Sequence, residues 1–585
     1  MGKNMFRNAP AKAASLVLPL LVACSIHGED LPPVAQWLPA DTPIIMEVSE
    51  PMALLAPLLN PEFSKSVTTV LENGKANPKL QQFQAVVASV EQQLGTDWRT
   101  GLRHLAGKDL SFCVSPSGAT LLTVDGEDEK LLSKLNGIVW QFAASEAEKE
   151  KQADTAAAHD YRGVKTWTIG TNEVHALLGS RLLLGNRPSF LKRVLDMRDG
   201  KGGKTLASSA LFKAAREAVG KDAVASVFLN LQTLRETPGL KKALEEDGNP
   251  VAALLLADTK AALRTASWLA VGVYVSGDKL ILRTYTDGAA AESSGWTNFS
   301  TPPAAGAGLL PPLTVPGTIA SLSLYRDLHS FYAAKNTLFA ERTSGLIFFE
   351  NMMGIFFSGI DLTDGVLSEM RPDIRVVVAK PQYDPAVGTP ATQVPAFAVV
   401  LRLKDPQRFG ETVEEAWQKA IGLVNFTRGQ QALPGLIIDK QTQNGVKYTI
   451  SYYRPPSGKA SGTIEDRYNY RPSLARPGDY VILSSTDALA RDLTDVVSKA
   501  PATSADASPA AHSLLEIEGP ALSAILEANR EGMVRKSMVD KGNSREKAEN
   551  DTQLLFAALG HLERATLTLR REAGRPQAQL EIRFK

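Results

Sequence analysis

The side chains of this chain that could do chemistry are seven histidines, two cysteines and a scatter of aspartates. The histidines stand at His27, His104, His159, His175, His329, His512 and His561, and none lies three to five residues from another histidine or a cysteine. A zinc site built on one segment needs that spacing, because two ligands must share a helix face or a tight turn. No metal and no cofactor is therefore expected. Cys113 with a distant histidine meets the minimum for a cysteine hydrolase. It stands in a strand-like run, however, where a thiol packs as a small apolar group. Residues 200–205, GKGGKT, end like a phosphate loop, but Arg198 occupies the place of the first glycine and residues 190–197 read as a helix. There is no Gly-x-Ser-x-Gly elbow and no Ser-x-x-Lys stretch on a plausible scaffold. Asp97 with Asp109 and Asp361 with Asp373 lie near glycines and read as turn and cap chemistry. No catalytic residue is expected.

One loop is a better candidate for recognition than for reaction. Residues 454–478, RPPSGKASGTIEDRYNYRPSLARPG, bring Arg467, Tyr468, Tyr470 and Arg471 together between two strands. Exposed loops with aromatic and guanidinium groups are disproportionately used for contact. These four residues form the candidate binding loop.

The first residues carry Lys3, Arg7 and Lys12 ahead of an apolar run over residues 13–23, the charge-then-apolar order of a secretory signal. Eleven helical residues reach only about 16 Å, short of the ~30 Å hydrocarbon core of a membrane. The run ends Leu21-Val22-Ala23-Cys24, which resembles the lipobox of bacterial lipoproteins. The resemblance implies that Cys24 receives a diacylglyceryl group and becomes the first residue after cleavage. It also implies an exported protein, lipid-anchored to a membrane of the periplasm or cell envelope.

Lysine and arginine number 64 against 63 acidic residues, so no net field draws in nucleic acid or an anionic bilayer surface, and neither is expected as a primary partner. With Cys24 lipidated, Cys113 is the remaining thiol and no intramolecular disulfide can form. Stability must come from the core.

The elements that position these residues come twice. Residues 95–114, GTDWRTGLRHLAGKDLSFCV, align without a gap with residues 359–378, GIDLTDGVLSEMRPDIRVVV, and Cys113 falls on Val377. LPADTPIIMEVSE from Leu38 parallels VPGTIASLSLYRD from Val315, GVKTWTI from Gly163 parallels GVKYTIS from Gly445, and residues 181–196 parallel 480–495. The pair of strands over 269–285 parallels 565–585. Collinear matches of this extent predict an internal duplication. The expected organisation is a signal peptide at 1–23, a tether at 24–34, a first repeat at 35–290, a linker at 291–312 and a second repeat at 313–585. Residues 454–478 have no counterpart in the first repeat, which spans the gap by a short turn near Gly170.

Within each repeat, short strands are joined by turns, at 43–48, 109–115, 119–124, 164–169, 174–178, 182–184 and 319–324, with helices in blocks, including residues 80–94. Asp405 is placed to cap and Pro406 to open a helix that presents Phe409, Val413, Trp417 and Ala420 on one face. This order predicts an α+β fold of two tandem lobes, each a mainly antiparallel sheet packed with helices.

The segment Leu38-Pro39-Ala40-Asp41-Thr42, running into a strand, resembles the opening of a family of exported bacterial proteins found in planctomycete-like genomes. The resemblance covers the mature chain and brings no activity, substrate or catalytic residue to carry over. The function expected is that of a membrane-anchored, non-enzymatic binding or scaffold protein of the cell envelope, partnered by an envelope protein, glycan or lipid. The alternatives are an exported hydrolase with a dispersed active site and an apolar-ligand carrier.

Overall fold

The computed structural model describes residues 31–56, 107–149, 156–169, 173–245, 249–288, 299–300, 308–339, 344–385, 387–455, 464–499, 511–572 and 574–585, with isolated positions between 88 and 104. The expected signal peptide, Cys24, Asp97 and most of the helix expected over 80–94 lie outside the described residues. The chain divides into two compact units, one of residues 1–243 and 266–288, the other of residues 244–265 and 289–585.

In the first unit the described strands are β1 (Ile44–Val48), β2 (Asp109–Val114), β3 (Thr120–Asp125), β4 (Ala156–Tyr161), β5 (Val164–Ile169), β6 (Glu173–Leu178), β7 (Arg181–Gly185), β8 (Ala225–Asn230), β9 (Trp268–Ser276) and β10 (Lys279–Thr286). They pair antiparallel in the order β4-β5-β6-β7-β3-β2-β1-β8-β9-β10. Helices of ten residues or more in this unit are α1 (Glu129–Lys149), α2 (Pro188–Arg198) and α3 (Ala210–Val219).

The second unit holds β11 (Thr318–Tyr325), β12 (Asp373–Ala379), β13 (Ala396–Arg402), β14 (Ile437–Gln443), β15 (Val446–Tyr452), β16 (Ser473–Arg476), β17 (Tyr480–Ser484), β18 (Ala511–Glu518), β19 (Leu562–Glu572) and β20 (Arg575–Phe584). Their antiparallel order is β14-β15-β16-β17-β13-β12-β11-β18-β19-β20. Adding ten to each strand of the first order gives the second. Its helices of the same minimum length are α4 (Pro250–Thr265), α5 (Ser344–Phe356), α6 (Pro406–Gln430), α7 (Asp487–Lys499), α8 (Gly519–Ala528), α9 (Arg530–Lys541) and α10 (Arg545–Gly560). The α+β class with antiparallel sheets holds in both units.

Each sheet buries one face against helices. In the first unit Ile45, Cys113, Leu121, Ala176 and Leu183 pack with Phe190, Leu191 and Val194 of α2 and Phe212 and Val219 of α3. In the second, Val377, Ala398, Ile450, Ala475 and Ile482 pack with Leu489, Ala490, Leu493 and Val497 of α7. Burying one such aliphatic or aromatic side chain contributes roughly 1.5–3 kcal/mol, which is why the alternation along these strands dictates the fold. Helix α6 starts as its sequence demands. The Asp405 carboxylate accepts from the Arg408 N–H at 3.0 Å, and Pro406 occupies the first turn.

Three features depart from the sequence expectation. First, Thr42 donates its hydroxyl to the Pro39 carbonyl at 2.7 Å, and Thr318 does the same to Val315 at 2.7 Å. The structure thus equates Thr42 with Thr318, one residue away from the sequence match. The sheet agrees, since Ile45 lies opposite Cys113 while Ser321 lies opposite Val377. Second, strand β16 falls within residues 454–478 and pairs with β17 as β6 pairs with β7, so the segment peculiar to the second unit ends before Ser473.

Third, residues 244–265, inside the range assigned to the first repeat, belong to the second unit. What holds α4 there is polar. Arg326 is 1% exposed. Its Nε donates to Leu254 O at 2.7 Å and one terminal nitrogen to Leu255 O at 3.3 Å and Ser513 Oγ at 2.8 Å. The other terminal nitrogen donates to Tyr325 O at 2.7 Å and His512 O at 2.9 Å. All five guanidinium donors are used. The buried Asp258 carboxylate of α4 accepts two bonds from Arg571 of β19.

Candidate binding surface

The groups that looked reactive are occupied by packing. Cys113 is buried at the centre of the first sheet, and burial pushes its thiol up to about 12, far from a thiolate nucleophile. Val377 at the equivalent register is fully buried too. His175 lies between the rings of Trp140 and Trp167, at centroid distances of 5.8 and 5.3 Å, with neither ring nitrogen hydrogen-bonded. Burial holds its pKa down to about 4. His512 is buried against Arg326 and is likewise held down to about 4, first by burial and then by the Arg326 charge. His329 meets Asp364 at 3.1 Å on an exposed surface. Among the described residues no group of three His, Cys, Asp or Glu side chains could hold a metal ion.

The aspartates divide by unit. Asp109 and Asp125 stand opposite each other on β2 and β3. Asp125 accepts from Arg181 Nε at 2.6 Å, and Arg181 also donates to Pro32 O at 2.9 Å and lies 4.4 Å over the Trp37 ring. Asp109 keeps one oxygen without a hydrogen-bond partner, and its pKa rises to about 7 through burial, then through repulsion by Asp125 and Glu47. In the second unit Arg402 stands where Asp125 does and meets Asp373 at 3.2 Å. Asp361 caps the following turn by accepting from the Asp364 N–H at 2.7 Å. A single carboxyl titrating near neutrality could act as an acid or base. Its described neighbours are the carboxylates of Asp125 and Glu47, and Arg181, which neutralises Asp125, also clamps the segment at Pro32.

The four residues of the candidate binding loop do not form one cluster. Arg467 and Tyr468 fold onto the end of β15. The Arg467 guanidinium lies 5.6 Å from the Tyr453 ring and 5.1 Å from the Tyr468 ring, while Tyr468 donates to Arg454 O at 3.1 Å. Arg428, from the last turn of α6, reaches the same Tyr453 ring at 4.9 Å and donates to Pro434 O at 2.6 Å. Arg471 turns away to pair with Asp487 at 2.9 Å over Tyr452. Tyr470 is 38% exposed. Two guanidiniums on one tyrosine ring are held by cation–π attraction. Glu465 pairs with Arg467 at 2.8 Å. Sequence reading missed Arg428 and Tyr453, because only the folding of α6 over β15 brings them together.

Large apolar side chains are exposed beside this cluster. Leu423 (46%), Val424 (42%) and Phe426 (64%) lie in the last turns of α6. No helix among the described residues is long and apolar enough to cross a membrane.

No family model and no curated protein matches the chain. Among solved structures it is similar to crystal form I of TP0453, at 7% identity over 44% of this chain and 79% of that one, with a TM-score of 0.22. Crystal form III of TP0453 aligns at 8% identity over 44% of this chain and 80% of that one, with a TM-score of 0.21. Likeness at that level carries no argument about function.

Proposed function

We propose that this is an exported lipoprotein, anchored to an envelope membrane through acylated Cys24, whose two α+β lobes serve as a non-enzymatic binding or scaffold protein. The observation that carries the reading is the lipobox-like Leu21-Val22-Ala23-Cys24 directly upstream of a fastened segment. Eight residues after Cys24, Pro32 is gripped by the buried Arg181, and Val34, Ala35, Trp37 and Leu38 are buried behind it. A tether of that length spans at most about 29 Å, so the first lobe stays close to the bilayer. Several acyl chains, at ~0.8 kcal/mol per buried methylene, would hold the chain far more firmly than one. On this reading the lobes descend from one duplicated unit. The common strand order, the gapless match of 95–114 with 359–378 and the shared threonine turn support that origin.

Mass spectrometry of the mature amino terminus is the test, with a diacylglyceryl-modified Cys24 as the expected result. Cys24→Ala should move the protein from the membrane to the soluble fraction. An unmodified residue downstream of Cys24 in the native protein would sink the anchor.

A further inference from the structure

We infer that the free end of α6 and the arginine cluster beside it dock on an anionic phospholipid surface. Ile421 is the last buried residue of the helix, and beyond it Leu423, Val424 and Phe426 are exposed. Successive helical residues turn by about 100°, so these three spread over an arc of about 160° on the side away from Ile421. A fluid bilayer interface moulds to a convex face that wide, whereas a flat protein partner meets only part of it. Charge points the same way. No acidic residue occurs between Glu415 and Asp439. Arg428 and Arg467 gather around Tyr453 at the base of the same helix end, Arg467 also pairing with Glu465. Apolar side chains rimmed by guanidiniums, with tyrosine rings between, match the acyl boundary and the phosphates above it. Helix α5 also exposes Phe348 (67%) and Ile355 (69%), but its sequence contains no cation, so it shows no such complementarity.

The inference deepens the envelope reading by naming lipid as a second contact of the second lobe, and its test is run without an acyl chain so that each can fail alone. The chain from Ser25 onward, which keeps every described residue, is floated with vesicles of phosphatidylglycerol and phosphatidylcholine in equal amounts, and with vesicles of phosphatidylcholine alone. Binding to the anionic vesicles should be roughly tenfold stronger and should weaken as salt rises. Leu423→Ser with Phe426→Ser should lower it by roughly tenfold or more, with an unchanged circular dichroism spectrum because both side chains are exposed. Arg428→Gln should reduce the preference for phosphatidylglycerol and leave the weaker binding to phosphatidylcholine in place. Equal flotation of the double variant and the parent overturns the inference, as does absence of binding to either vesicle. Sedimentation equilibrium showing a dimer that the double variant abolishes would assign the surface to a second copy of the chain instead.

Discussion

Two buried titratable groups in the first unit act on stability in opposite directions. His175 has a folded pKa of about 4 against an ordinary 6.5. Between those values the unfolded chain binds the extra proton, so this group makes stability rise with pH, by about 3 kcal/mol across the window. Asp109 has a folded pKa of about 7 against an ordinary 3.8. Here the folded chain binds the extra proton, so its contribution is present at low pH and is lost as pH rises from about 4 to 7, by at most ~4 kcal/mol. The two slopes largely cancel. Urea unfolding followed by the fluorescence of Trp140 and Trp167 should therefore change little between pH 5 and pH 7, on the order of 1 kcal/mol. His175→Leu, which installs the residue found at the equivalent Leu474, should leave a profile that falls with pH. Asp109→Asn should leave one that rises. Profiles that stay parallel to the parent in both variants would refute the assignment. At this scale the pairing of Cys113 with Val377 was legible in the sequence, and both side chains are buried in the core of their sheets. The placement of Arg326 was not legible, because its acceptors are carbonyl groups that leave no trace in side-chain identity.

Among elements, β5 was readable and the edge strands β4 and β14 were not. Val164–Ile169 shows its boundaries in sequence because turns flank it and one face is buried. At the sheet edge, β4 reads AAAHDY and β14 reads IIDKQTQ, and β14 is exposed at six of its seven positions. Without a buried face there is no period-two signal to detect. The start of α6 was readable because Asp and Pro act locally, but the juxtaposition of its far end with Tyr453 is tertiary. One glycine marks how tightly elements meet. A Cβ on Gly519, at the start of α8, would sit 1.9 Å from the Leu562 carbonyl oxygen at the start of β19. Backbone cannot yield as a side chain tip can, so Gly519→Ala should destabilise the second unit by about 2–3 kcal/mol or more, read as a lower urea midpoint. An unchanged midpoint would mean that α8 and β19 are not packed this closely.

In the whole molecule the two units share a strand order but do not divide the chain at one point. The backbone passes between them near residues 243, 265 and 288, because α4 is taken from the first half into the second unit. A protease site built into residues 301–307 and cut under native conditions should therefore leave two fragments that elute together in gel filtration. They should separate in denaturant. Separation without denaturant would show that α4 is not held by Arg326 and Arg571. The common strand order left a trace in sequence as motifs that recur in the same order, whereas the ownership of α4 left none, since Asp258 and Arg571 lie 313 residues apart.

That same helix sets a timetable. Residues 250–265 leave the ribosome well before Arg326, and long before Arg571, the groups that satisfy their buried carbonyls and carboxylate. Contacts between residues so distant in the chain form late, because the intervening loop must first be closed. The second unit therefore cannot reach its final packing until β19 has been made.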